Sequence, residues 1–205
     1  MQSALKYAKD YKETFRTELH DLLRIPSIST DATRNPDVAQ AAQWVADNMR
    51  DAGLENVEIM PTDGHPVVYG DWLHAGAEAT TVLVYGHYDV QPAEMADGWD
   101  NDPFDPVERD GKIYARGASD DKGQMFIHIK AVESILKSGD PLPVNIKFII
   151  EGEEEIGSPN LPKFIKAHTD KLNADVCVIS DTGMRHIDEP WIVQSLRGLV
   201  AMDLI

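Results

Sequence analysis

Apolar residues in several parts of the chain recur every three or four positions, which is the spacing of amphipathic helices. Four helices are predicted in this way, over residues 3–23, 37–51, 121–137 and 158–168. Pro26 sets the end of the first, because a proline disfavours helical backbone in the residue before it. Gly53 is a suitable C-cap for the second helix, and Ser158 before Pro159 is a suitable start for the fourth.

Runs of apolar and β-branched residues lie between these helices and predict strands. They cover residues 57–60, 67–69, 81–85, 145–150 and 174–179, with a further strand-like stretch from about Trp191 and another over residues 198–205. Residues 81–85 are continuously apolar, as in a strand covered on both faces, and residues 174–179 are likewise predicted to be buried, with Cys177 as a small core residue. Strands that alternate with helices indicate an α/β fold.

The composition narrows the class of protein. Of the 205 residues, 42% are hydrophobic and 26% are charged, which are the values of an ordinary globular protein. The net charge of −16 and the lack of a basic run argue against a nucleic-acid partner, while acidic side chains favour solubility and can also gather around cations. The single cysteine allows no internal disulfide. The first residues are charged where a signal peptide would be apolar, and no apolar segment is long enough to span a membrane. The sequence therefore predicts a cytoplasmic protein with no membrane partner.

Residues that can bind a metal ion follow three of the apolar strands. His87 and Asp89 come after the first of them. The acidic run 151–155 comes after the second, and Asp181 after the third. In an open α/β sheet the binding site forms beyond the carboxyl ends of the strands, so neighbouring strands would place these side chains around one crevice. The sequence therefore predicts a metal site at this edge of the sheet.

The first two of these segments each have a second interpretation. His87 and Asp89 point to the same side of a strand, so the carboxylate can hold the imidazole of a metal-binding histidine, but the pair also fits a polar turn after a buried strand. The carboxylates of residues 151–155 repel one another unless a cation or proton intervenes, but the run also fits a solvated segment ahead of a helix. The residues alone leave both interpretations open.

Two adjacent aspartates, Asp120 and Asp121, stand where a loop is predicted to become a helix. Aspartate is favoured at the first turn of a helix, and this explains Asp121 without any ligand. Asp120 is the better candidate for a metal ligand if its side chain points back into the crevice. Asp181 is similarly ambiguous, since Asp181-Thr182-Gly183 is typical of a turn.

In combination these segments resemble the M20 metallopeptidase family, and most of all its dipeptidase branch of carnosinase-like enzymes. The resemblance is carried, in order along the chain, by LRIPSIS at 23–29, GHYDVQPA at 86–93, Trp99 with PFDP at 103–106, DGKIYARGASDDKG at 110–123, EGEEEIGS at 151–158 and SD at 180–181. The fold that the resemblance implies is a mixed, mostly parallel sheet flanked by helices, which is the zinc-peptidase (phosphorylase/hydrolase-like) catalytic domain.

The resemblance implies a metal centre of two divalent ions. His87 and Asp181 would bind one ion, Asp120 would bridge both, and Glu155 would bind the second. Zn²⁺ is the ion expected, although one imidazole among carboxylates also suits Mn²⁺ and Co²⁺. The family also implies a cis peptide bond between Asp120 and Asp121.

The implied reaction is hydrolysis of the peptide bond of a dipeptide or short peptide by a water activated between the two ions. Glu154 would be the general base and Asp89 the partner of the His87 imidazole. A shift of one position in the acidic run would instead make Glu153 the general base and Glu154 the ligand of the second ion.

The family pattern continues well past residue 205. The resemblance implies that residues 1–196 are the N-terminal part of the catalytic domain, truncated before the lid domain, and that residues 197–205 begin that domain. The full-length protein would form a homodimer through the lid. A late histidine of the family lies outside the 205 residues, and this predicts weak metal binding at Glu155 and little activity for the chain alone.

Two other functions fit the same residues. N-acyl amino acid deacylases share the metal core, so the substrate would then be an acylated amino acid instead of a dipeptide. A non-catalytic metal-binding or assembly module on the same fold is the second alternative, although the presence of Glu154 argues against it. The sequence identifies neither the individual dipeptide nor the native metal.

Overall fold

The computed structural model describes residues 1–184, 186, 189, 191–193, 195 and 198 of the chain. The predicted α/β fold is confirmed. Short 3₁₀ helices cover Ala32–Arg34, Met95–Asp97 and Glu154–Ile156. The other regular elements are α1 (Gln2–Asp10), α2 (Lys12–Leu23), α3 (Asn35–Ala52), β1 (Glu55–Met60), β2 (Val67–Trp72), β3 (Thr81–His87), β4 (Val107–Arg109), β5 (Lys112–Tyr114), α4 (Lys122–Ser138), β6 (Asn145–Glu151), α5 (Leu161–Ala167), α6 (Thr169–Leu172) and β7 (Val176–Ile179).

Five strands form one mixed sheet in the order β1-β2-β6-β3-β7. β2 is antiparallel to both β1 and β6, whereas β3 is parallel to both β6 and β7. The expected mixed sheet is confirmed, with parallel pairing concentrated in the half of the sheet formed by β6, β3 and β7. Because these three strands are neighbours and point the same way, their carboxyl ends lie side by side at one edge of the sheet.

Alternating side chains along the strands divide the core into two layers. Val68, Val84 and Phe148 belong to the layer that packs against α3 and α4. Tyr69 and Ile149, one position further along their strands, belong to the second layer with residues of α5 and α6. The sheet is therefore covered by helices on both faces.

The first predicted helix, over residues 3–23, is two helices in the structure. α1 ends at Asp10 and α2 begins at Lys12. The backbone of Tyr11 has φ −99° and ψ 9°, which departs from the α-helix and separates the two elements. The predicted end at residue 23 agrees with the observed end of α2 at Leu23.

The fourth predicted helix begins three residues later than expected. α5 starts at Leu161, and Asn160 takes the N-cap position. Ser158 instead has a left-handed backbone with φ 50°, and its hydroxyl donates to Glu151 over 2.7 Å. The serine therefore binds the end of β6 and does not cap the helix.

The prediction that β7 is buried was wrong. Val176 is 47% exposed and Ile179 is 60% exposed, and Cys177, predicted to be a core residue, is exposed as well. The reason is that β7 lies at an edge of the sheet and pairs only with β3 among the described residues. An apolar run alone does not say how many neighbours a strand has.

Two expectations concern the last part of the chain and the membrane. Residues 191–193 do not form a strand, and residues 197–205, apart from Gly198, lie outside the described part of the chain. Within the described residues no helix is both long enough and apolar enough to cross a membrane.

A histidine connects α4 with the end of β7. His128 Nε2 lies 2.6 Å from Ser180 Oγ. Ser180 directly precedes Asp181 in the chain. Burial lowers the pKa of His128 below its ordinary value, so the imidazole is neutral at neutral pH. The hydrogen bond therefore joins two neutral groups across the helix–sheet interface.

The lowered pKa of His128 predicts a pH dependence of stability. When the pH falls below the ordinary histidine pKa of about 6.5, the unfolded chain binds a proton more readily than the folded chain, and stability decreases. We expect His128→Gln to lose less free energy of unfolding than the unsubstituted protein between about pH 7.5 and about pH 5.5. Urea unfolding at both pH values measures the difference.

His74→Gln is the control for this measurement, because His74 is exposed and pairs with Glu55 at the surface. It should lose as much stability as the unsubstituted protein over the same pH range. An equal loss in His128→Gln and His74→Gln would contradict the prediction.

Candidate metal centre

The carboxyl ends of β3, β6 and β7 and the start of α4 bring an imidazole and several carboxylates together. Ligand atoms of His87, Asp120 and Asp181 all lie within 4.8 Å of one another. His87 Nε2 is 3.2 Å from Asp120 Oδ1 and 3.6 Å from Asp181 Oδ2. Glu154 Oε2 lies 3.9 Å from the same nitrogen. These side chains come from four separate segments and meet around one atom, His87 Nε2.

His87 is the last residue of β3, and its side chain is fully buried. Nδ1 lies 3.1 Å from the main-chain oxygen of Asp89 and 3.3 Å from Asp89 Oδ1. Because both oxygens are acceptors, Nδ1 carries a proton. Nε2 is buried as well and has no hydrogen-bond partner in the described part of the chain. In the neutral imidazole its lone pair faces the carboxylates, which is the arrangement of a metal-binding histidine.

The carboxylates around His87 strongly affect its charge. Burial by itself lowers the pKa of His87, but the hydrogen bond and charge of Asp89, with the charges of Asp121 and Glu154, raise it to about 10. Burial raises the pKa of Asp181 and of Glu154. Without a cation the imidazole therefore holds a proton that partly balances the carboxylates. A divalent ion must displace this proton to bind Nε2.

Asp89 connects the histidine with the acidic run after β6. Its side chain is fully buried. Oδ1 accepts a hydrogen bond from the main-chain nitrogen of Glu154 over 3.2 Å, and Oδ2 accepts one from that of Glu155 over 3.1 Å. Ser29 Oγ also donates to Oδ2, over 2.6 Å. One carboxylate thus holds both the His87 ring and the chain that carries Glu154 and Glu155.

Asp121 takes a different position from the one expected of a helix cap. It stands at the N-cap of α4, but its side chain makes no capping hydrogen bond there. Oδ2 instead accepts a hydrogen bond from the main-chain nitrogen of His87 over 3.1 Å, and burial raises the pKa of Asp121 to about 7. The peptide bond between Asp120 and Asp121 is cis, as the family resemblance implied.

Asp121 approaches β3 closely at Gly86, where the chain has no side chain. A Cβ atom on Gly86 would lie 2.7 Å from Asp121 Oδ2 and 3.1 Å from Met125 Cβ. The first distance is shorter than real Cβ contacts and the second is tighter than most, so a side chain here would require Asp121 and Met125 to shift. Gly86 therefore allows the start of α4 to reach the end of β3.

Glu151 and Glu153 are held by neutral donors. Glu151 is buried at the end of β6, and its Oε1 accepts from the hydroxyls of Tyr85 and Ser158, each over 2.7 Å. Glu153 is also buried and accepts from the main-chain nitrogen of His65 over 3.1 Å and from Asn160 Nδ2 over 2.9 Å. These contacts engage both carboxylates without His87.

Glu154 lies beside the group of His87, Asp120 and Asp181, whereas Glu155 is held by Gln91. Glu154 is within 3.9 Å of His87 Nε2, whereas Glu155 Oε2 accepts from Gln91 Nε2 over 2.8 Å. Among the described residues, Glu155 is not part of the compact group of His87, Asp120 and Asp181. Glu153, which the shifted register would use as the general base, instead contacts His65 and Asn160.

Three residues at the site were not identified from the sequence. Gln91 could have been found from its spacing, because residues 87, 89 and 91 would point to the same side of an extended chain. Its side chain contacts Glu155. Asp121 was assigned to helix capping. Ser29 has no local signal, because it is 60 positions from Asp89 in the chain.

The donor set fits a divalent metal ion. One imidazole nitrogen with carboxylate oxygens is a ligand set that Zn²⁺, Mn²⁺ and Co²⁺ accept. The buried Nε2 of His87 has no other partner in the described residues, and its Nδ1 is held by a carboxylate, as is usual for metal-binding histidines. The arrangement can therefore hold a divalent ion at His87, Asp120 and Asp181.

Comparison with known proteins agrees with the family resemblance seen in the sequence. The sequence profile of peptidase family M20/M25/M40 matches residues 83–193, which include every residue discussed above from His87 to Asp181. The Cys-Gly metallodipeptidase dug1 of Schizosaccharomyces pombe is 36% identical over 200 residues, or 92% of this chain and 42% of that protein. The mouse Beta-Ala-His dipeptidase is 40% identical over 172 residues, or 78% of this chain and 35% of that protein.

A solved structure shows the same fold. The crystal structure of human carnosine dipeptidase 1 is similar to this chain with a TM-score of 0.81 and 33% sequence identity. The match covers 88% of this chain and 41% of that one. The 205 residues thus span less than half the length of these relatives.

Replacement of His87 tests the metal centre. An ion that binds only the folded protein stabilises it by about 2.7 kcal/mol when present at 100 times its Kd. We expect Zn²⁺ or Mn²⁺ to raise the Tm of the metal-stripped protein, and His87→Ala to lose most of this rise because the imidazole ligand is missing. Thermal unfolding with and without the ion measures the effect.

His74→Ala is the matched control, since it removes an exposed imidazole at the surface. It should retain the full rise in Tm. A rise of the same size in His87→Ala would contradict the assignment of the site.

Proposed function

Because the chain belongs to peptidase family M20/M25/M40, we propose that the protein is a metal-dependent dipeptidase that hydrolyses the peptide bond of dipeptides or short peptides. The observation that carries this proposal is the meeting of His87, Asp120, Asp181 and Glu154 around one buried nitrogen. The substrate class is supported by the dipeptidases of Schizosaccharomyces pombe and mouse to which the chain is similar.

We assign the metal ligands as follows. His87 and Asp181 would hold one ion, Asp120 would bridge it to a second, and Glu155 would belong to the second site. Zn²⁺ is the proposed ion in both positions, and Mn²⁺ and Co²⁺ are compatible with the same donors. When bound, such ions lower the pKa of a water molecule and polarise a carbonyl group.

Glu154 would act as the general base. Its side chain is 38% exposed, so it can contact a water molecule in the crevice as well as the buried group around His87. Burial raises the pKa of Glu154 above its ordinary value, which makes the carboxylate a stronger base. Glu154 would take a proton from the attacking water and pass it to the leaving amine when the C–N bond breaks.

Asp89 is fully buried, so it would act through His87 and would not contact the substrate. Its contact with Nδ1 keeps the proton on that nitrogen and leaves Nε2 to bind the ion. Its two hydrogen bonds from the main chain hold the turn that carries Glu154 and Glu155. Asp89 is therefore a positioning residue of the proposed reaction.

The domain arrangement is part of the proposal. Residues 1–196 would belong to the catalytic domain and residues 197–205 to the start of a lid domain, through which the full-length protein would form a homodimer. The relatives, of which the chain spans less than half, support a longer protein. The 205 residues alone would have little activity.

A substrate panel tests the function. The protein, expressed at the full length of its reading frame and loaded with Zn²⁺ or Mn²⁺, is expected to hydrolyse Cys-Gly, β-Ala-His or related dipeptides. N-acetyl and N-succinyl amino acids should be cleaved much more slowly. Amine release measured by chromatography gives kcat/KM for each substrate.

The outcome of the panel separates the alternatives. Faster cleavage of the acylated amino acids would assign a deacylase of the same family. Metal binding without cleavage of any member would favour a non-catalytic module.

Glu154→Gln tests the proposed base. The loss of a general base lowers kcat by about 10²- to 10⁴-fold, while the amide preserves the shape of the side chain. We expect this loss without a change in metal content. Steady-state kinetics and atomic absorption measure the two quantities.

Glu153→Gln is the matched control in the same acidic run. Its carboxylate accepts from His65 and Asn160, so we expect lower stability and a largely retained kcat. The reverse pattern, with activity lost only in Glu153→Gln, would establish the shifted register.

A further inference from the structure

The loop of residues 25–29 lies against the segment that follows β3. The main-chain oxygen of Ser27 accepts from the nitrogen of Val90 over 3.0 Å, and Ile28 forms a parallel bridge with Val90. Ser27 Oγ donates to the main-chain oxygen of Tyr88 over 2.6 Å. The loop thus runs alongside the chain that carries Asp89.

The opposite side of this loop is held by the start of α4. Lys122 follows Asp120 and Asp121 in the chain, and its side chain is fully buried. Its Nζ donates to the main-chain oxygens of Ile25 over 2.6 Å and of Leu22 over 3.2 Å. The loop therefore contacts both segments that supply ligands from β3 and α4.

Ser29 is the residue of this loop whose side chain reaches the metal centre. Its hydroxyl donates to Asp89 Oδ2 over 2.6 Å, and both side chains are buried. Asp89 also contacts His87 Nδ1 and accepts hydrogen bonds from the main-chain nitrogens of Glu154 and Glu155. Ser29 therefore adds a side-chain hydroxyl donor, from the loop of residues 25–29, to this carboxylate.

We propose that Ser29 is a positioning residue of the metal centre. Its hydroxyl holds the Asp89 carboxylate in the one orientation that contacts the His87 ring and the turn of Glu154 and Glu155 at the same time. Loss of the hydroxyl leaves the buried carboxylate with one donor fewer and allows it to rotate. The functional consequence rests on the proposed metal site, whereas the hydrogen bond itself does not require an ion.

The expected effect is on metal affinity. Residues that orient a metal-binding histidine through its hydrogen-bond partner contribute typically 10–100-fold to affinity. We expect Ser29→Ala to weaken Zn²⁺ binding by about 10–100-fold in the protein at the full length of its reading frame. Competition with a chelator of known affinity measures the Kd.

Ser134→Ala is the matched control. Ser134 is 5% exposed and Ser29 is 8% exposed, and the Ser134 hydroxyl donates to the main-chain oxygen of Lys130 inside α4. Both alanine variants should shift the urea midpoint to a similar extent, but Ser134→Ala should leave the Kd for Zn²⁺ unchanged. An equal loss of affinity in the two variants would show a general effect of a buried hydroxyl and overturn the proposal.

Ser29→Thr separates the hydroxyl from the rest of the side chain. Threonine keeps the donor, so this variant should bind Zn²⁺ as the unsubstituted protein does. Binding as weak as in Ser29→Ala would overturn the proposal, and so would unchanged affinity in Ser29→Ala.

A metal-free measurement distinguishes this inference from the proposed function. The Nδ1 proton of His87, held by Asp89 in a buried site, should exchange slowly with solvent in NMR spectra of the metal-free protein, and faster in Ser29→Ala. If the unsubstituted protein binds no Zn²⁺, the proposed metal function fails while the exchange rates still test Ser29. If Zn²⁺ binds but affinity and exchange are the same in both proteins, only the role of Ser29 fails.

Discussion

The strands β6, β3 and β7 are parallel neighbours, so the residues that follow them emerge at the same edge of the sheet. This alignment is the constraint from which the site follows. His87 and Glu151 are directly paired across β3 and β6, which fixes the acidic run beside the histidine. Asp181 follows β7 on the other side of β3. Asp120, just before α4, joins them from the segment that approaches the sheet closely at Gly86.

The second constraint is electrostatic. Carboxylates that are packed together and shielded from water repel one another, and each must find donors or positive charge. Glu151 and Glu153 find hydroxyl, amide and main-chain donors. Asp120, Asp181 and Glu154 instead surround the His87 imidazole, which is the one basic side chain in the metal-ligand group of the described residues. This difference in partners separates Glu151 and Glu153, which are held by neutral donors, from the carboxylates that face His87.

Asp89 joins three segments that are distant in the sequence. Its carboxylate contacts the histidine at the end of β3, the turn after β6 and Ser29 from the loop after α2. All of these contacts are made through the same two oxygen atoms. The loop of residues 25–29, which has no candidate ligand of its own, thereby contacts the candidate site through Ser29.

Local patterns in the sequence predicted most of the longer elements and the α/β class, because periodicity records how side chains alternate along helices and strands. The same patterns failed for β7 and Cys177, whose exposure depends on which strands lie next to them. They failed also for Ser158, which contacts Glu151 instead of capping α5. Only the tertiary structure decided that Asp121 contacts His87 and that Ser29 contacts Asp89. Which residues meet across a long separation in the sequence depends on how the whole chain packs. The spacing of neighbouring residues carries no information about such contacts.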